Sequence, residues 1–313
     1  MVIFSADNIV KRYANHTALN NVSIEVAENC VFGLLGPNGA GKTSLIRIIN
    51  QITAPDSGTL FFNGERLSQK HISMMGYLPE ERGLYKKMEL GEQALYLSQL
   101  KGLSEHDAKA KLKYWFEKFE IQSWWKKKIE DLSKGMQQKV QFIISILHEP
   151  KLLILDEPFS GFDPINANLI KNEILELKKK GTTIILSTHN MGSVEELCDN
   201  IALINKSEKV LGGNVKEIRK KYSTNIFDVE FKGSLISFTN SMWGGFEVIS
   251  HKKNEEFTIA RIKLINGNSP NTLLKYILDV VEVHSLNEII PTMNDIFIAS
   301  VNGSAVEVTD LTE

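Results

Sequence analysis

The sequence predicts an α/β fold with a largely parallel core sheet and a mainly helical insertion, followed by a small α+β domain. Over the first 213 residues, short apolar segments alternate with segments of helical periodicity, which is typical of a parallel sheet covered by helices. The pattern is continuously helical from about residue 88 to 148. We therefore predict one domain at 1–215, with a helical subdomain at about 86–150, a linker at 216–225, and a small accessory domain at 226–313.

The core elements are recognised as apolar runs bounded by turn residues. The predicted strands are CVFGLLG (30–36), TLFFNG (59–64), HISMMGYL (71–78), KLLILDEP (151–158) and TTIILSTH (182–189). The predicted helices between them are KTSLIRIIN (42–50) and NANLIKNEILELKKKG (166–181). Because several of these strands are apolar at nearly every position, we expect them to be buried on both faces of the sheet.

The helical insertion and the accessory domain have different patterns. The insertion contains MELGEQALYLSQLKGL (88–103), SEHDAKAKLKYWFEKFEI (104–121) and an apolar helix that ends in QFIISILH (141–148). After a short basic helix, KEIRKKY (216–222), the accessory domain has predicted strands IFDVEF (226–231), FTIARIKLI (257–265) and VEVHSLNEI (281–289), with helices PNTLLKYILD (270–279) and TMNDIFIASV (292–301). These elements predict a mixed sheet-and-helix domain without a catalytic constellation.

Composition excludes some functional classes. The formal net charge of the 313 residues is -2, so no global basic field favours nucleic acid as a partner. We interpret lysine runs such as 126–128 as solvated surface, with a membrane or partner contact as the less favoured alternative. Two cysteines without a CxxC pattern indicate a reducing compartment. No apolar stretch reaches the roughly 20 residues that span a bilayer, and we expect no signal peptide.

The segment GPNGAGKTS (36–44) fits the phosphate-binding P-loop pattern. Glycines let backbone N–H groups turn toward phosphate oxygens, and the following helix adds its positive N-terminal end. Lys42 then reaches the β- and γ-phosphates, and the Thr43 hydroxyl is a ligand for Mg²⁺. A chance glycine-rich turn is the alternative. The predicted phosphate-binding residues are Gly36, Pro37, Asn38, Gly39, Ala40, Gly41, Lys42, Thr43 and Ser44.

The segment LLILDEP (152–158) places two carboxylates at the C-terminal end of a buried strand, the edge at which open parallel sheets bind ligands. We expect Asp156 to hold Mg²⁺ and Glu157 to position and deprotonate the water that attacks the γ-phosphate. The alternative is an acidic pair that caps a helix.

With their spacing, these residues resemble the ATP-binding cassette (ABC) ATPases over nearly all of residues 1–213. The resemblance implies a P-loop NTPase core with an antiparallel β subdomain and a helical insertion, and ATP with Mg²⁺ as the bound groups. It implies that Tyr13 stacks on adenine, although an ordinary tyrosine at a strand edge is the alternative. His189 matches the histidine that contacts the γ-phosphate in this family, and Lys42, Glu157 and His189 are the implied catalytic residues.

Two further loops resemble family motifs with substitutions. In GYLPEERGLY (76–85), Glu80 stands where most members have Gln, and a carboxylate can still reach the magnesium shell. In SGFDP (160–164), Phe162 stands where Leu is usual and Asp163 is retained. The resemblance implies that this second loop communicates across a dimer of two ATPase subunits.

The segment DLSKGMQQKV (131–140) resembles the family's signature motif, usually Leu-Ser-Gly-Gly-Gln. Leu132, Ser133 and Gly135 are retained, whereas Lys134 and Met136 replace Gly and Gln. In the family, Ser and Gly of this motif contact the γ-phosphate bound by the opposite subunit. The alternative is that Ser133 only caps the following helix, and both roles are compatible.

The complete set of motifs resembles the bacterial exporter branch typified by sodium-efflux (NatA-type) ATPases. This implies two ATPase subunits, identical or paralogous, that enclose two ATP molecules and power a separate transmembrane permease, for efflux of sodium or drugs, from the cytoplasmic face of the membrane. A ribosome-associated ABC ATPase is the main rival. DNA-repair ATPases, with their long coiled coils, and a non-enzymatic regulatory protein are weaker rivals.

Overall fold

The computed structural model describes residues 1–81, 83–242, 244–254 and 256–306. The chain divides into two units, Met1–Val215 and Lys216–Glu313, which are described separately below. The last seven residues of the predicted accessory domain, 307–313, lie outside the described residues. Within the described residues, no helix combines the length and apolar character needed to cross a bilayer.

The first unit contains two sheets and two groups of helices. Its strands are β1 Val2–Tyr13, β2 His16–Ala27, β3 Val31–Leu35, β4 Ser57–Phe62, β5 Glu65–Arg66, β6 Met75–Leu78, β7 Leu152–Asp156, β8 Thr183–Ser187, β9 Asn200–Asn205 and β10 Glu208–Asn214. Its α-helices are α1 Lys42–Ile49, α2 Leu90–Leu100, α3 Glu105–Lys118, α4 Lys134–Ile146, α5 Pro164–Lys179 and α6 Met191–Leu197.

The central sheet has the order β10-β9-β3-β8-β7-β6 and is parallel except for the edge strand β10. Strands β3, β7 and β8 are buried at every position, as their continuous apolar sequences predict. The predicted parallel core is therefore confirmed. Its C-terminal edge carries the P-loop after β3 and the Asp-Glu pair at the end of β7.

The second sheet of this unit is antiparallel, with the order β2-β1-β4-β5. It confirms the antiparallel subdomain that the family resemblance implies. The long β1–β2 hairpin packs its apolar face, which includes Phe4, Ile9 and Leu19, into a core shared with α1 and the central sheet. The prediction of a strand at 71–78 is confirmed only for Met75–Leu78, because residues Gln69–Met74 form a 3₁₀ helix.

Helices α2, α3 and α4 form the insertion that the helical periodicity predicts. An aromatic cluster joins the end of α3 to α4, with ring centroids 5.9 Å apart for Trp115 and Phe119 and 6.1 Å apart for Phe119 and Phe142. The Ser104 side chain caps α3 and the Ser133 side chain caps α4.

The second unit has βαββαβ topology followed by a helix. Its elements are α7 Val215–Lys221, β11 Ile226–Lys232, α8 Leu235–Ser241, β12 Phe246–Lys253, β13 Thr258–Leu264, α9 Pro270–Ile277, β14 Glu282–Glu288 and α10 Met293–Asn302. The antiparallel order β12-β13-β11-β14 is that of a ferredoxin-like sheet. Its core contains residues of β11, β13, α8 and α9, including a stacked pair, Phe231 and Phe238. The sequence predicted neither α8 nor β12.

Candidate functional site

The P-loop follows β3 and leads directly into α1. Gly36 and Gly41 both have positive φ values, 149° and 114°. A Cβ atom at Gly36 would lie 2.2 Å from the Ile204 carbonyl oxygen, and one at Gly41 would lie 2.3 Å from the Ala18 carbonyl oxygen. Only glycine fits these two positions, because the loop is pressed against β9 on one side and β2 on the other.

The Lys42 side chain turns back into this loop. Its Nζ donates hydrogen bonds to the carbonyl oxygens of Gly36, at 2.6 Å, and Pro37, at 3.1 Å. Burial lowers the pKa of Lys42, and the nearby carboxylates of Glu157, Asp156 and Glu80 oppose that shift. The ammonium group is thus held beside the phosphate-binding backbone with acidic side chains nearby.

A cleft of about 410 Å³ opens beside Lys42. Its walls are formed by Tyr13, His16, Ala18, Asn38, Gly39, Gly41, Lys42, Thr43, Ser44, Glu80, Asp156, Glu157 and His189. It brings together most of the predicted site residues. Pro37 and Ala40 instead line the adjoining hollow. Neither Ser133 nor Gly135 lines either space.

Asp156 ends β7 and is only 2% exposed. Burial, together with the negative charges of Glu80 and Glu157, raises its pKa to about 6. Its Oδ2 atom makes no hydrogen bond within the part of the chain that is described. A buried carboxylate oxygen without a partner is costly and is a chemically suitable ligand for a cation.

Glu157 and His189 form a hydrogen-bonded pair. The Glu157 Oε1 atom accepts from both the backbone N–H of His189, at 3.0 Å, and its Nδ1, at 2.7 Å. Oε2 accepts from the Thr188 hydroxyl at 3.3 Å. Glu157 has a φ of 48°, a conformation that costs about 1–3 kcal/mol for a non-glycine residue and is one of the kinds of backbone strain found at functional sites.

Tyr13 lies at the end of the β1–β2 hairpin, and its ring is 41% exposed. The Lys11 ammonium lies 5.3 Å from the ring centroid. His16 is the direct cross-strand partner of Tyr13, so both side chains lie on one face of the hairpin. His16 was not among the site residues predicted from the sequence. The signal in the sequence was the two-residue connection Ala14-Asn15, because a hairpin loop of that length pairs Tyr13 with His16 across the strands.

Ser133 caps α4 by accepting a hydrogen bond from the Met136 backbone N–H at 3.3 Å. The helix-cap alternative is therefore realised. A Cβ atom at Gly135 would lie 3.3 Å from the Gly161 carbonyl oxygen and 3.5 Å from the Phe162 ring, so the signature-like segment packs against the SGFDP loop. Asp163 of that loop caps α5 through the Asn166 backbone N–H.

Both units of the chain match known protein families. Residues 19–160 match the ABC transporter family, and residues 213–301 match the C-terminal domain of DrrA1-3-like ATP-binding proteins. The chain is 42% identical over 220 residues to the uncharacterized ABC transporter ATP-binding protein YhaQ of Bacillus subtilis, covering 70% of this chain and 74% of YhaQ.

Two other relatives have more specific names. The linearmycin resistance ATP-binding protein LnrL of Bacillus subtilis is 32% identical over 69% of this chain and 70% of its own length. The lantibiotic transport ATP-binding protein SrtF of Streptococcus pyogenes is 33% identical over 65% of this chain and 87% of its own length.

Among solved structures, an ATP-binding subunit of an ABC transporter superimposes with a TM-score of 0.66 at 30% identity, covering 70% of this chain and 93% of that one. The P-loop core, the antiparallel subdomain and the helical insertion thus occur together in a transporter subunit. This chain belongs to the ATP-binding subunits of ABC transporters, and it is an ATPase.

Proposed function

We propose that this chain powers an exporter as one half of an ATPase dimer, formed by two copies or by one copy and a paralogue. The observation that carries the proposal is the composition of the cleft. It contains the P-loop, Asp156, Glu157 and His189, but neither Ser133 nor Gly135. In the proposed dimer, the signature-like segment of one subunit contacts the γ-phosphate held by the other, so that two ATP molecules are enclosed.

For ATP binding, we assign adenine to the exposed Tyr13 ring and the phosphates to the P-loop backbone. Base stacking on an aromatic ring is worth about 1–3 kcal/mol. Lys42 exchanges its two carbonyl acceptors for phosphate oxygens, which carry full negative charge and therefore form stronger hydrogen bonds.

For the magnesium ion, we assign Thr43, Glu80 and Asp156 as ligands or as partners of its water shell. The unpaired Asp156 Oδ2 supports this assignment, because hard oxygen donors are those that Mg²⁺ prefers. When bound, Mg²⁺ neutralises charge on the β- and γ-phosphate oxygens. Near the cation, Asp156 would be held in its ionised form.

For hydrolysis, we assign Glu157 as the group that orients the attacking water and accepts its proton. The two hydrogen bonds from His189 to Oε1 restrict the Glu157 carboxylate to one rotamer. Its other oxygen, Oε2, accepts only the longer bond from the Thr188 hydroxyl and is the atom that we assign to accept the proton. His189 is then placed to reach the γ-phosphate. A positioned general base contributes typically about 10²–10⁴ in rate.

For the transported cargo, we propose antibiotic-like compounds rather than sodium, because relatives are named for linearmycin resistance and lantibiotic transport. A separate permease carries the cargo. The helical insertion and the Glu80 loop contact that permease, which holds this chain at the cytoplasmic face of the membrane.

Replacing Asp156→Asn should stabilise the nucleotide-free protein and remove its response to magnesium. The folded Asp156 carboxyl keeps its proton to about pH 6, whereas its ordinary pKa is 3.8. The wild type therefore loses stability as the pH rises between these values. We expect a free energy of unfolding about 1–3 kcal/mol higher in the variant near pH 7, with no difference near pH 4, measured in urea.

In the same variant, Mg²⁺ should add nothing to the thermal stabilisation by ATP. Asp107→Asn is the matched control, because its exposed carboxylate lies on α3 and lines no part of the cleft. If Mg²⁺ raises the thermal stability of ATP-bound Asp156→Asn as much as that of the wild type, Asp156 is not a magnesium ligand.

Replacing Glu157→Gln should retain ATP binding, abolish hydrolysis and accumulate a closed dimer. The amide keeps an acceptor for His189 but cannot take a proton from water. Size-exclusion chromatography with ATP should show a dimer that the wild type forms only transiently. Glu176→Gln, at an exposed carboxylate bonded to Lys179, is the control and should turn over normally. Full turnover by Glu157→Gln, or only monomer with ATP, contradicts the role.

Replacing Ser133→Arg should abolish turnover and spare ATP binding by the single subunit, because Ser133 is proposed to act in the opposite subunit's cleft. Ser104→Arg is a matched control: Ser104 also caps a helix, accepting from the Asp107 N–H. Both variants lose a cap worth about 1 kcal/mol, and only Ser133→Arg should lose ATPase activity. Weakened ATP binding by monomeric Ser133→Arg points instead to a folding defect.

Deleting this subunit should sensitise cells to linearmycin-type or lantibiotic compounds and leave sodium tolerance unchanged. Restoring the wild type, but not Lys42→Ala, should reverse the effect, since Lys42 holds phosphate. The tagged subunit should co-purify from membranes with a polytopic membrane protein. Co-purification with ribosomes instead, or sensitivity to sodium alone, would contradict the proposed cargo and partner.

A further inference from the structure

Five lysines of the helical insertion lie on two neighbouring surface segments. Lys86 and Lys87 precede α2, whereas Lys126, Lys127 and Lys128 precede α4. All five are exposed, and together with Tyr85 and Trp124 we call them the lysine patch. None of them belongs to the ATP cleft.

Backbone hydrogen bonds bring the two segments together. The Glu130 N–H donates to the Lys86 carbonyl oxygen at 3.0 Å, and the Leu90 N–H donates to the Lys127 carbonyl oxygen at 2.9 Å. Glu89 and Lys128 form an antiparallel bridge. The lysines are therefore fixed as neighbours by the fold, although about 40 residues separate them in sequence.

Trp125 anchors the second segment. Its ring packs against Phe116, with centroids 5.7 Å apart, and against Gly91, where a Cβ atom would lie 2.2 Å from the indole. Trp124 is half-buried, with the Lys127 ammonium 6.0 Å from its ring centroid, and the Tyr85 side chain is 58% exposed. The patch thus combines lysine ammonium groups with exposed or half-buried aromatic rings, and the packing of Trp125 fixes the segment that carries three of the lysines.

The patch lysines have no ion-pair partners among the described residues. Three carboxylates, Glu89, Glu130 and Asp131, lie in the same segments without pairing with them. The run at 178–180 is different, because Lys178 pairs with Asp199 and Lys179 with Glu176. Like charges held close together without counter-ions repel one another, and an external anion would relieve that repulsion.

We propose that the lysine patch binds the anionic lipid headgroups of the membrane beside the permease. This inference rests on the proposed function, which places the subunit at the cytoplasmic membrane face. Clusters of four to eight basic residues near a membrane bind anionic lipid with about 1 kcal/mol per residue. Trp and Tyr are the aromatic residues enriched at the same interface. The patch would hold the helical insertion against the lipid surface.

Charge favours lipid over a loop of the permease as the partner. The cytoplasmic loops of membrane proteins carry an excess of Lys and Arg, which would repel the patch. The cytoplasmic leaflet is negatively charged and attracts it. The aromatic rings add contact area that nonspecific counter-ions would not use.

The test is flotation of the full chain with phosphatidylcholine vesicles, with and without phosphatidylglycerol, at increasing NaCl. We expect salt-sensitive binding to the anionic vesicles only. Lys126→Gln/Lys127→Gln should lower the vesicle partition constant by about 30-fold, at about 1 kcal/mol per lysine. Lys179→Gln/Lys180→Gln removes the same charge elsewhere and should leave binding within about twofold of the wild type.

Equal binding to neutral vesicles, or an equal loss in both double variants, would overturn the proposal. Unchanged vesicle binding by Lys126→Gln/Lys127→Gln with loss of its ATPase activity would assign these lysines to the ATPase cycle instead. If the chain binds soluble polyglutamate but not vesicles, the partner of the lysine patch is an acidic protein rather than a membrane. ATPase activity of the wild type and dimer formation by Glu157→Gln are measured without vesicles, so failure of the proposed function is recognised separately.

Discussion

The site depends on the close packing of the P-loop between the two sheets of the first unit. Gly36 lies against the Ile204 carbonyl of the parallel sheet, and Gly41 lies against the Ala18 carbonyl of the antiparallel hairpin. A side chain at either glycine would force these sheets apart. The same packing buries Lys42 and keeps the Tyr13 and His16 end of the hairpin beside the phosphate-binding backbone. The proposed base and phosphate subsites therefore lie at one junction between the two sheets.

The cleft also contains several charged side chains whose hydrogen-bonding groups are not all paired with one another. Lys42 is buried against its own loop carbonyls, and Asp156 is buried with one oxygen unpaired. Glu157 has an uncommon backbone conformation, and its carboxylate accepts two hydrogen bonds from His189. Such local costs are retained where a ligand supplies the missing partners. A triphosphate with a divalent cation has the charges that this cleft lacks.

The sequence predicted the elements in which local pattern and burial agree. Strands β3, β7 and β8 are apolar throughout, and Ser133 has the chemistry of a helix cap, which was one of the two roles expected for it. It missed β12, which is half-exposed and polar, and no strand was identified directly in β1 or β2, whose pairing is interrupted by register shifts. The contact of Gly135 with Phe162 and the pairing of Tyr13 with His16 arise only from tertiary packing and strand register, which periodicity does not encode.

The central claim is that each ATP cleft is completed by the signature-like segment of the other subunit. The most direct measurement mixes Lys42→Ala subunits with Ser133→Arg subunits, each inactive alone, and follows ATPase activity. A mixed dimer would contain one cleft with an intact Lys42 on one subunit and an intact Ser133 on the other. We expect mixing to restore a substantial part of the activity. No activity at any mixing ratio, although mixed dimers are shown to form, would contradict it.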